Sequence, residues 1–287
     1  MSELRFDGRV AVVTGAGRGI GRAYAELFAA RGGLVVVNDV DPEPAHDVAG
    51  ALGDDVAVAD ANDVSTPAGG AALVQAALDA FGRVDAIVNN AGTMVWAGIG
   101  ELSDHDFAQL WAVHTAGCFS VVKAAWPHMV AAGYGRIVNT TSSGVFGLPK
   151  NLAYATAKGG VIGFTRSVAR AGKRHGIKVN AIAPAAYTRL AGDAPNEAME
   201  HGMRPELVAP MAAFLAHEDC PVTGEIYTAG AGRFARLFIA STPGVLLDEP
   251  SLDDVAAQWD AINDEQGYSV PADLIEWSTG FTSHLTP

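Results

Sequence analysis

Cysteine is nearly absent. Cys118 and Cys220 are the only two in 287 residues, and they are far apart, without metal-ligand spacing. This rules out a disulfide framework or a zinc cluster as the organising device and leaves two reduced, packed thiols. Positive charge is also scarce: 19 Lys and Arg face 32 Asp and Glu, for a formal charge of -13, and there is no basic block. Binding to a nucleic-acid backbone is therefore not expected, and polyanionic substrates are disfavoured unless the few cations are focused locally. No apolar run approaches the roughly 18 residues of a membrane span, and no charged-then-apolar leader follows Met1. The expectation is a soluble cytoplasmic protein with neither a membrane nor a nucleic-acid partner. There is no internal repeat and no low-complexity linker. Residues are 49% hydrophobic and 18% charged, enough to bury one large core.

Strands alternate with helical patterns. Val10-Ala-Val-Val-Thr14 is a buried parallel strand by composition, followed at once by Gly15-Ala-Gly-Arg-Gly-Ile-Gly21 and a helix over Arg22 to Arg31. Strand, glycine turn and helix is the arrangement whose backbone N–H groups hold a pyrophosphate, which makes Gly15, Arg18, Gly19, Ile20 and Gly21 candidate cofactor residues. The next strand, residues 34–38, ends at Asp39. A carboxylate there accepts the adenosine ribose hydroxyls and repels a 2′-phosphate, so NAD is expected over NADP. Arg18 is the one nearby cation that argues the other way.

Further strands are expected at 56–59, 85–89, 136–141 and 178–183. Helices are expected over 67–81, from about 104 to 132 with a kink at Pro127, and over 151–175; residues 41–54 are expected to form a short helix at most. This order calls for an α/β fold: a doubly wound parallel sheet of Rossmann type, single domain, with a short helical C-terminal extension. Asp63 and Val64 follow the third strand where a loop could touch the cofactor, and Asn90, Ala91 and Gly92 follow the fourth. Tyr154 and Lys158, four apart on a helix, share one face, so a phenol and an ammonium can meet at one reacting atom. The strand ending at Thr140 delivers the hydroxyls of Thr141, Ser142 and Ser143 to the same place.

Thr14-Gly-x-x-x-Gly-x-Gly21, Asp39, Asn89-Asn-Ala-Gly92, the hydroxyl cluster, Tyr154-x-x-x-Lys158 and Asn180-x-Ile-x-Pro184 occur in one order. Together they resemble the short-chain dehydrogenase/reductase family over residues 5 to 232. Val113-His-Thr-Ala-Gly117, residues 124–129 and 207–215, and Ala229-Gly-Ala-Gly232 are similar to its (3R)-hydroxyacyl-CoA dehydrogenase branch, which also acts on 17β-hydroxysteroids. The resemblance implies Tyr154 as acid/base and Lys158 as the cation that lowers its pKa and holds the nicotinamide ribose. It implies a serine that donates to the substrate oxygen, and Pro184 and Thr188 at the nicotinamide. It also implies pairing of the long helices in a homo-oligomer, a dimer or tetramer.

Three departures matter. The residue 13 before Tyr154 is Thr141, whereas counting from Arg136 and Val138 points to Ser142. Ser142 is chosen, with Thr141 and Ser143 as alternatives. His114 stands where the family has the Asn whose main-chain carbonyl holds a water beside the lysine, and both a relay role and an ordinary helix histidine stay open. The Arg-Asp pair of the hydroxyacyl-CoA branch is replaced by Thr93-Met-Val-Trp96. Met94 and Trp96, with Phe146, Leu148, Tyr187 and Leu190, make a candidate hydrophobic substrate pocket, although Phe146 and Leu190 could equally pack in the core. This tilts the substrate toward a neutral hydrophobic alcohol or ketone such as a steroid, over a CoA thioester.

The division expected is 1–232 for the dehydrogenase domain and 233–287 for an extension packing on the cleft or a subunit neighbour. That extension contains a basic amphipathic stretch, residues 233–239, and two short helices, and Arg233 and Arg236 are its candidate phosphate contacts if the substrate carries CoA. The expected activity is NAD-dependent interconversion of a secondary alcohol and a ketone; the alternative is a cofactor-binding sensor or scaffold without turnover. No metal site is expected.

Overall fold

The computed structural model describes residues 3–188 and 196–285, and its chain order alternates strand and helix as the hydrophobic pattern requires. The elements begin β1 (Val10–Thr14), α1 (Gly19–Ala30), β2 (Leu34–Asn38), α2 (Pro42–Leu52), β3 (Ala57–Asp60), α3 (Pro67–Phe81) and β4 (Ala86–Asn89). They continue with α4 (Asp104–Trp111), α5 (Gly117–Ala132), β5 (Gly135–Thr140), α6 (Leu152–Gly172) and β6 (Ile177–Pro184). After α7 (Glu197–Gly202) and α8 (Ala209–Ala216) come β7 (Ile226–Gly230) and β8 (Arg233–Leu237). The sheet order is β3-β2-β1-β4-β5-β6-β7-β8, with β1 to β7 parallel. The order reverses between β1 and β4, the switch point at which doubly wound sheets open a crevice at the strands' carboxyl ends.

Alternate residues of β1 feed opposite faces. Ala11 and Val13 enter a core with Tyr24 and Phe28 of α1 and Leu215 of α8, while Val10 and Val12 enter a second core with Leu73 of α3 and Met129 of α5. Burial on both faces explains why the strands are continuous apolar runs instead of alternating ones. Side-chain amides tie the middle of the sheet: Asn89 Nδ2 donates to Asn139 Oδ1 at 2.8 Å, and Asn139 Nδ2 to Thr165 Oγ1 at 3.0 Å.

Local signals set the helix ends. Thr66 Oγ1 accepts from Gly69 N at 3.0 Å to open α3, which stops at Gly82 in the left-handed region, φ 73°. Ser103 Oγ accepts from Asp106 N at 3.0 Å to open α4. The expected single helix from 104 to 132 is instead broken by a π-helical segment, Ala112–Ala116, centred on His114; the chain then runs as α5 through Pro127. A π-turn accommodates one extra residue by widening the backbone ring, and such turns gather at functional sites. Residues 41–54 likewise contain more helix than expected, with α2 at 11 residues started by Pro42 at its first position.

The chain clusters into two compact units, one up to Arg236 and one from Leu237 onward. The stretch 233–237, expected in the extension, is the eighth strand of the sheet, with Thr228 Oγ1 donating to Ala235 O at 3.3 Å and Arg236 paired with Glu225 at 2.7 Å. Charged side chains on an outer strand are a usual guard against edge-to-edge pairing. The second unit contains α9 (Leu252–Ala257), α10 (Trp259–Ile262) and α11 (Leu274–Phe281), and Phe238 stacks on Tyr268 at 5.9 Å. Among the described residues, no helix is long and apolar enough to cross a membrane, and no group of three His, Cys, Asp or Glu could hold a metal ion. Both cysteines are buried and free.

Candidate active site

A cavity of about 670 Å³ opens at the switch point, floored by the glycine turn. Gly15 has φ +62°, and a Cβ on it would lie 2.8 Å from Ala91 Cα. A Cβ on Gly21 would run into Gly15 O, so Gly21, which does not line the cavity, closes the turn from below. Gly19, at φ +54°, leaves its face to Thr188, whose Cγ2 would lie 3.2 Å from a Cβ there. Thr14 Oγ1 accepts from both Asn90 N and Ala91 N at 2.9 Å, and Asn90 Nδ2 donates to Thr14 O and Gly15 O at 3.0 and 3.1 Å. The loop through Gly92 is thereby bolted to the glycine turn, and Arg18, Ile20 and Met94 complete that part of the wall.

Asp39 is held at the rim. Its Oδ2 accepts from Gly17 N and its Oδ1 from Asp41 N, both at 3.1 Å. Arg18 pairs with Asp41 at 2.7 Å, so its charge is directed two residues beyond Asp39. Asp63 and Val64 also line the cavity, with Asp63 Oδ1 accepting from Ser65 N at 2.9 Å. The sequence reading missed Asn38, Val40, Asn62 and Ser65 in the same wall. Asn38 and Asn62 both donate to Asp60, at 2.6 and 2.7 Å, and polar residues at the ends of two neighbouring apolar strands were the available signal. Thr93, Gln109, Ala112 and Val113 line it too, the last two through the π-turn that no pattern in the sequence announces.

Ser142, Tyr154 and Lys158 lie outside the cavity lining, and His114 links them to it: its ring meets Tyr154 and its Nε2 meets Thr93 of the wall. Tyr154 is mostly buried, and burial pushes its phenol above the ordinary value while the neighbouring Ser142 hydroxyl pulls it down; burial is the larger effect. A phenol lowered by Lys158 was expected, but the Lys158 Nζ lies 5.6 Å from the Tyr154 ring centre. Lys158 is itself fully enclosed, its pKa pushed down to about 8 by burial, and it donates to Thr140 O at 2.7 Å. Of the three candidate hydroxyls, Thr141 Oγ1 is buried and donates to Lys158 O at 2.8 Å, which makes it a brace for α6. Ser142 Oγ accepts from Gly144 N at 3.0 Å and reaches Tyr154; Ser143 begins the following 3-10 turn.

His114 is buried behind this group. Its ring stands at 90° to that of Tyr154, with centres 5.2 Å apart, and its Nε2 lies 2.8 Å from Thr93 O. Burial, then the charge of Lys158, lower its pKa to about 3, so the ring is neutral at physiological pH. The main-chain oxygen of His114 accepts from Cys118 Sγ at 3.0 Å.

The candidate substrate residues are divided. Met94 faces the cavity, whereas Trp96, Phe146 and Leu148 are 56%, 78% and 60% exposed and lie outside its lining, so Phe146 is not a core residue. Ala97 N donates to Lys150 O at 3.0 Å, which brings the segments carrying Trp96 and Leu148 side by side. Tyr187 is half-buried, its N–H bonded to Met203 O at 2.9 Å, and Pro184 ends β6; neither lines the cavity. Leu190 lies outside the described residues.

The family model for short chain dehydrogenases matches residues 9–197. The chain is 39% identical over 298 residues to the mouse peroxisomal multifunctional enzyme type 2, covering 99% of this chain and 40% of that protein. It is 38% identical over 276 residues to a short-chain type dehydrogenase/reductase of Mycobacterium tuberculosis, covering 91% and 96% of the two chains. Among solved structures, the full-length peroxisomal multifunctional enzyme type 2 of Drosophila melanogaster superposes with a TM-score of 0.84 at 33% identity, covering 98% of this chain and 50% of that one. The chain thus spans less than half the length of the mouse relative.

Proposed function

The chain belongs to the short-chain dehydrogenase family, and from that premise we propose that it interconverts a secondary alcohol and a ketone with NAD, on a bulky hydrophobic or 3-hydroxyacyl-CoA substrate. The observation that carries this reading is Tyr154 with the Ser142 hydroxyl beside its phenol and the enclosed Lys158 one turn along α6, joined through His114 to Thr93 in the wall of a cavity floored by a glycine turn.

The residues present fit a dinucleotide. Gly15 and Gly19 leave backbone where a Cβ would fill the cradle, Gly21 closes the turn beneath them, and Asp39 stands at the rim. The Lys158 ammonium has three N–H groups and one recorded acceptor, Thr140 O, which leaves it donors for a ribose hydroxyl. Asp63, Val64, Asn90, Ala91, Gly92 and Thr188 of the cavity wall would complete the holding set. When bound, NAD supplies the hydride acceptor.

Oxidation of an alcohol also needs an acceptor for the hydroxyl proton. Tyr154 takes it, and in the reverse direction gives it back to the forming alkoxide; Ser142 holds the same oxygen by hydrogen bonding, as an oxyanion donor does. The exposed Trp96, Phe146 and Leu148, with Ile99, offer an apolar shore for the body of the substrate outside the cavity. They favour a hydrophobic carrier of the alcohol, and likeness to the multifunctional enzymes favours a hydroxyacyl thioester.

Tyr154→Phe tests the reading. NADH formation from a panel of 3-hydroxyacyl-CoAs and hydroxysteroids should fall by about a thousandfold or more, while NAD binding, followed by titration calorimetry, stays within about twofold. Retained turnover would remove Tyr154 from its role. No oxidation of any panel member by the wild-type protein would favour a cofactor-binding protein without turnover.

A further inference from the structure

His114 occupies the centre of the π-turn, and four contacts converge on it. Its ring lies edge-on to Tyr154 at 5.2 Å. Its Nε2 is 2.8 Å from Thr93 O and 3.3 Å from Thr93 N. A Cβ on Gly92 would lie 2.7 Å from its Cε1, so a glycine is needed there for the ring to reach the loop. Its main-chain oxygen is bonded to the Cys118 thiol.

One ring nitrogen cannot both donate and accept. The shorter contact, to a carbonyl oxygen, places the proton on Nε2 and leaves Nδ1 a bare lone pair, buried and without a partner. A histidine in this state is a poor proton relay. Its one N–H ends on a carbonyl that cannot pass a proton on, and a proton arriving at Nδ1 would create a cation in a desolvated site next to Lys158.

We propose that His114 is instead a positioning residue: through the Nε2–H bond to Thr93 O and the ring contact with Tyr154, it fixes the loop 93–96 relative to the acid–base tyrosine, and so sets where the alcohol lies. Thr93 and Met94 line the cavity, and Trp96 leads through Ala97 to the segment before Tyr154. A change at the ring is therefore felt at both ends of the substrate site. The inference rests on the proposed activity for its kinetic consequences, but the tether itself is independent of it.

Three variants separate the two contacts. In His114→Gln the amide nitrogen reaches the place of Nε2 and can still donate to Thr93 O; in His114→Asn it reaches only the place of Nδ1. His114→Phe keeps a ring against Tyr154 and loses the donor. The KM for the alcohol should rise about tenfold in His114→Asn and His114→Phe, the usual effect of one lost buried hydrogen bond, and stay within about threefold in His114→Gln. The kcat should fall in the Asn and Gln variants and hold in His114→Phe, with the KM for NAD unchanged throughout. Hydrogen exchange of amides 93–98 should quicken in the Asn and Phe variants and not in Gln. Gln and Asn variants alike in both KM and exchange would overturn the proposal, as would a rise in the KM for NAD parallel to that for the alcohol. If the wild-type protein oxidises nothing, the proposed activity fails, and the exchange pattern still decides the tether, with unfolding midpoints verifying that each variant is folded.

Discussion

Lys158 is an ammonium held where the protein would rather have none. Burial lowers its pKa from 10.5 to about 8, equivalent to roughly 3 kcal/mol of disfavoured charge. Between those values the unfolded chain binds the proton and the folded one does not, so stability rises as pH increases from about 8 toward 10.5, and the whole penalty is present at pH 7. Lys158→Met should therefore be inactive and yet more stable at pH 7 by about 1–3 kcal/mol in urea unfolding, with the gain shrinking by pH 10. An equal or lower stability at pH 7 would show that the bond to Thr140 O outweighs burial. At this scale the sequence was informative about residue type and weaker about contact. Tyr154 and Lys158 were legible because four residues is one helical face. Which of three hydroxyls meets the phenol was not, because Thr141 and Ser142 differ by one position at the end of a strand, where the side chain flips from the α6 brace to the cleft.

Among the elements, β2 and the glycine turn act together: β2 delivers Asp39, and the turn donates Gly17 N to its Oδ2. A 2′-phosphate placed at that rim would meet a carboxylate fixed by two backbone donors, while Arg18 is engaged with Asp41. Like charges brought together in this way cost several kcal/mol. NAD should therefore be preferred over NADP by at least about thirtyfold in kcat/KM, and Asp39→Ser should erase most of the preference, chiefly by improving NADP. Comparable rates with both cofactors in the wild-type protein would refute the assignment. These two elements were legible because apolar run, glycines and acidic terminus are contiguous in sequence. The π-turn was not, since nothing about Ala112–Ala116 distinguishes five residues of wide helix from five of ordinary helix; its cause lies in what His114, Cys118 and Thr93 do in space. Strand β8 was obscured for a related reason: an exposed edge strand with Arg233 and Arg236 has the composition of a surface tail.

For the whole molecule, the notable feature is an apolar face on the helices that flank the site. Phe107, Trp111 and Phe119 are 40%, 43% and 51% exposed, Phe119 meets Phe164 edge-on at 6.4 Å, and Lys123 lies 5.5 Å from the Phe119 ring. A Cβ on Gly160 would lie 3.0 Å from the Trp111 ring, so α6 makes room for that aromatic where α4 crosses it. Large aromatics gathered on one face of three packed helices cost free energy in water, which burial against another copy would recover. Because α4 leads into the π-turn and α6 carries Tyr154 and Lys158, burying this face would also steady the catalytic group. Light scattering should show a homodimer or homotetramer, and Phe119→Asp, which places a charge at the centre of the face, should shift it toward monomer with turnover reduced severalfold. A wild-type protein that stays monomeric at micromolar concentration would rule out this use of the face. An assembly unaffected by Phe119→Asp would put the subunit contact elsewhere, for which the segment after Arg236, with Leu274, Ile275 and Phe281 exposed on α11, is the next surface to charge.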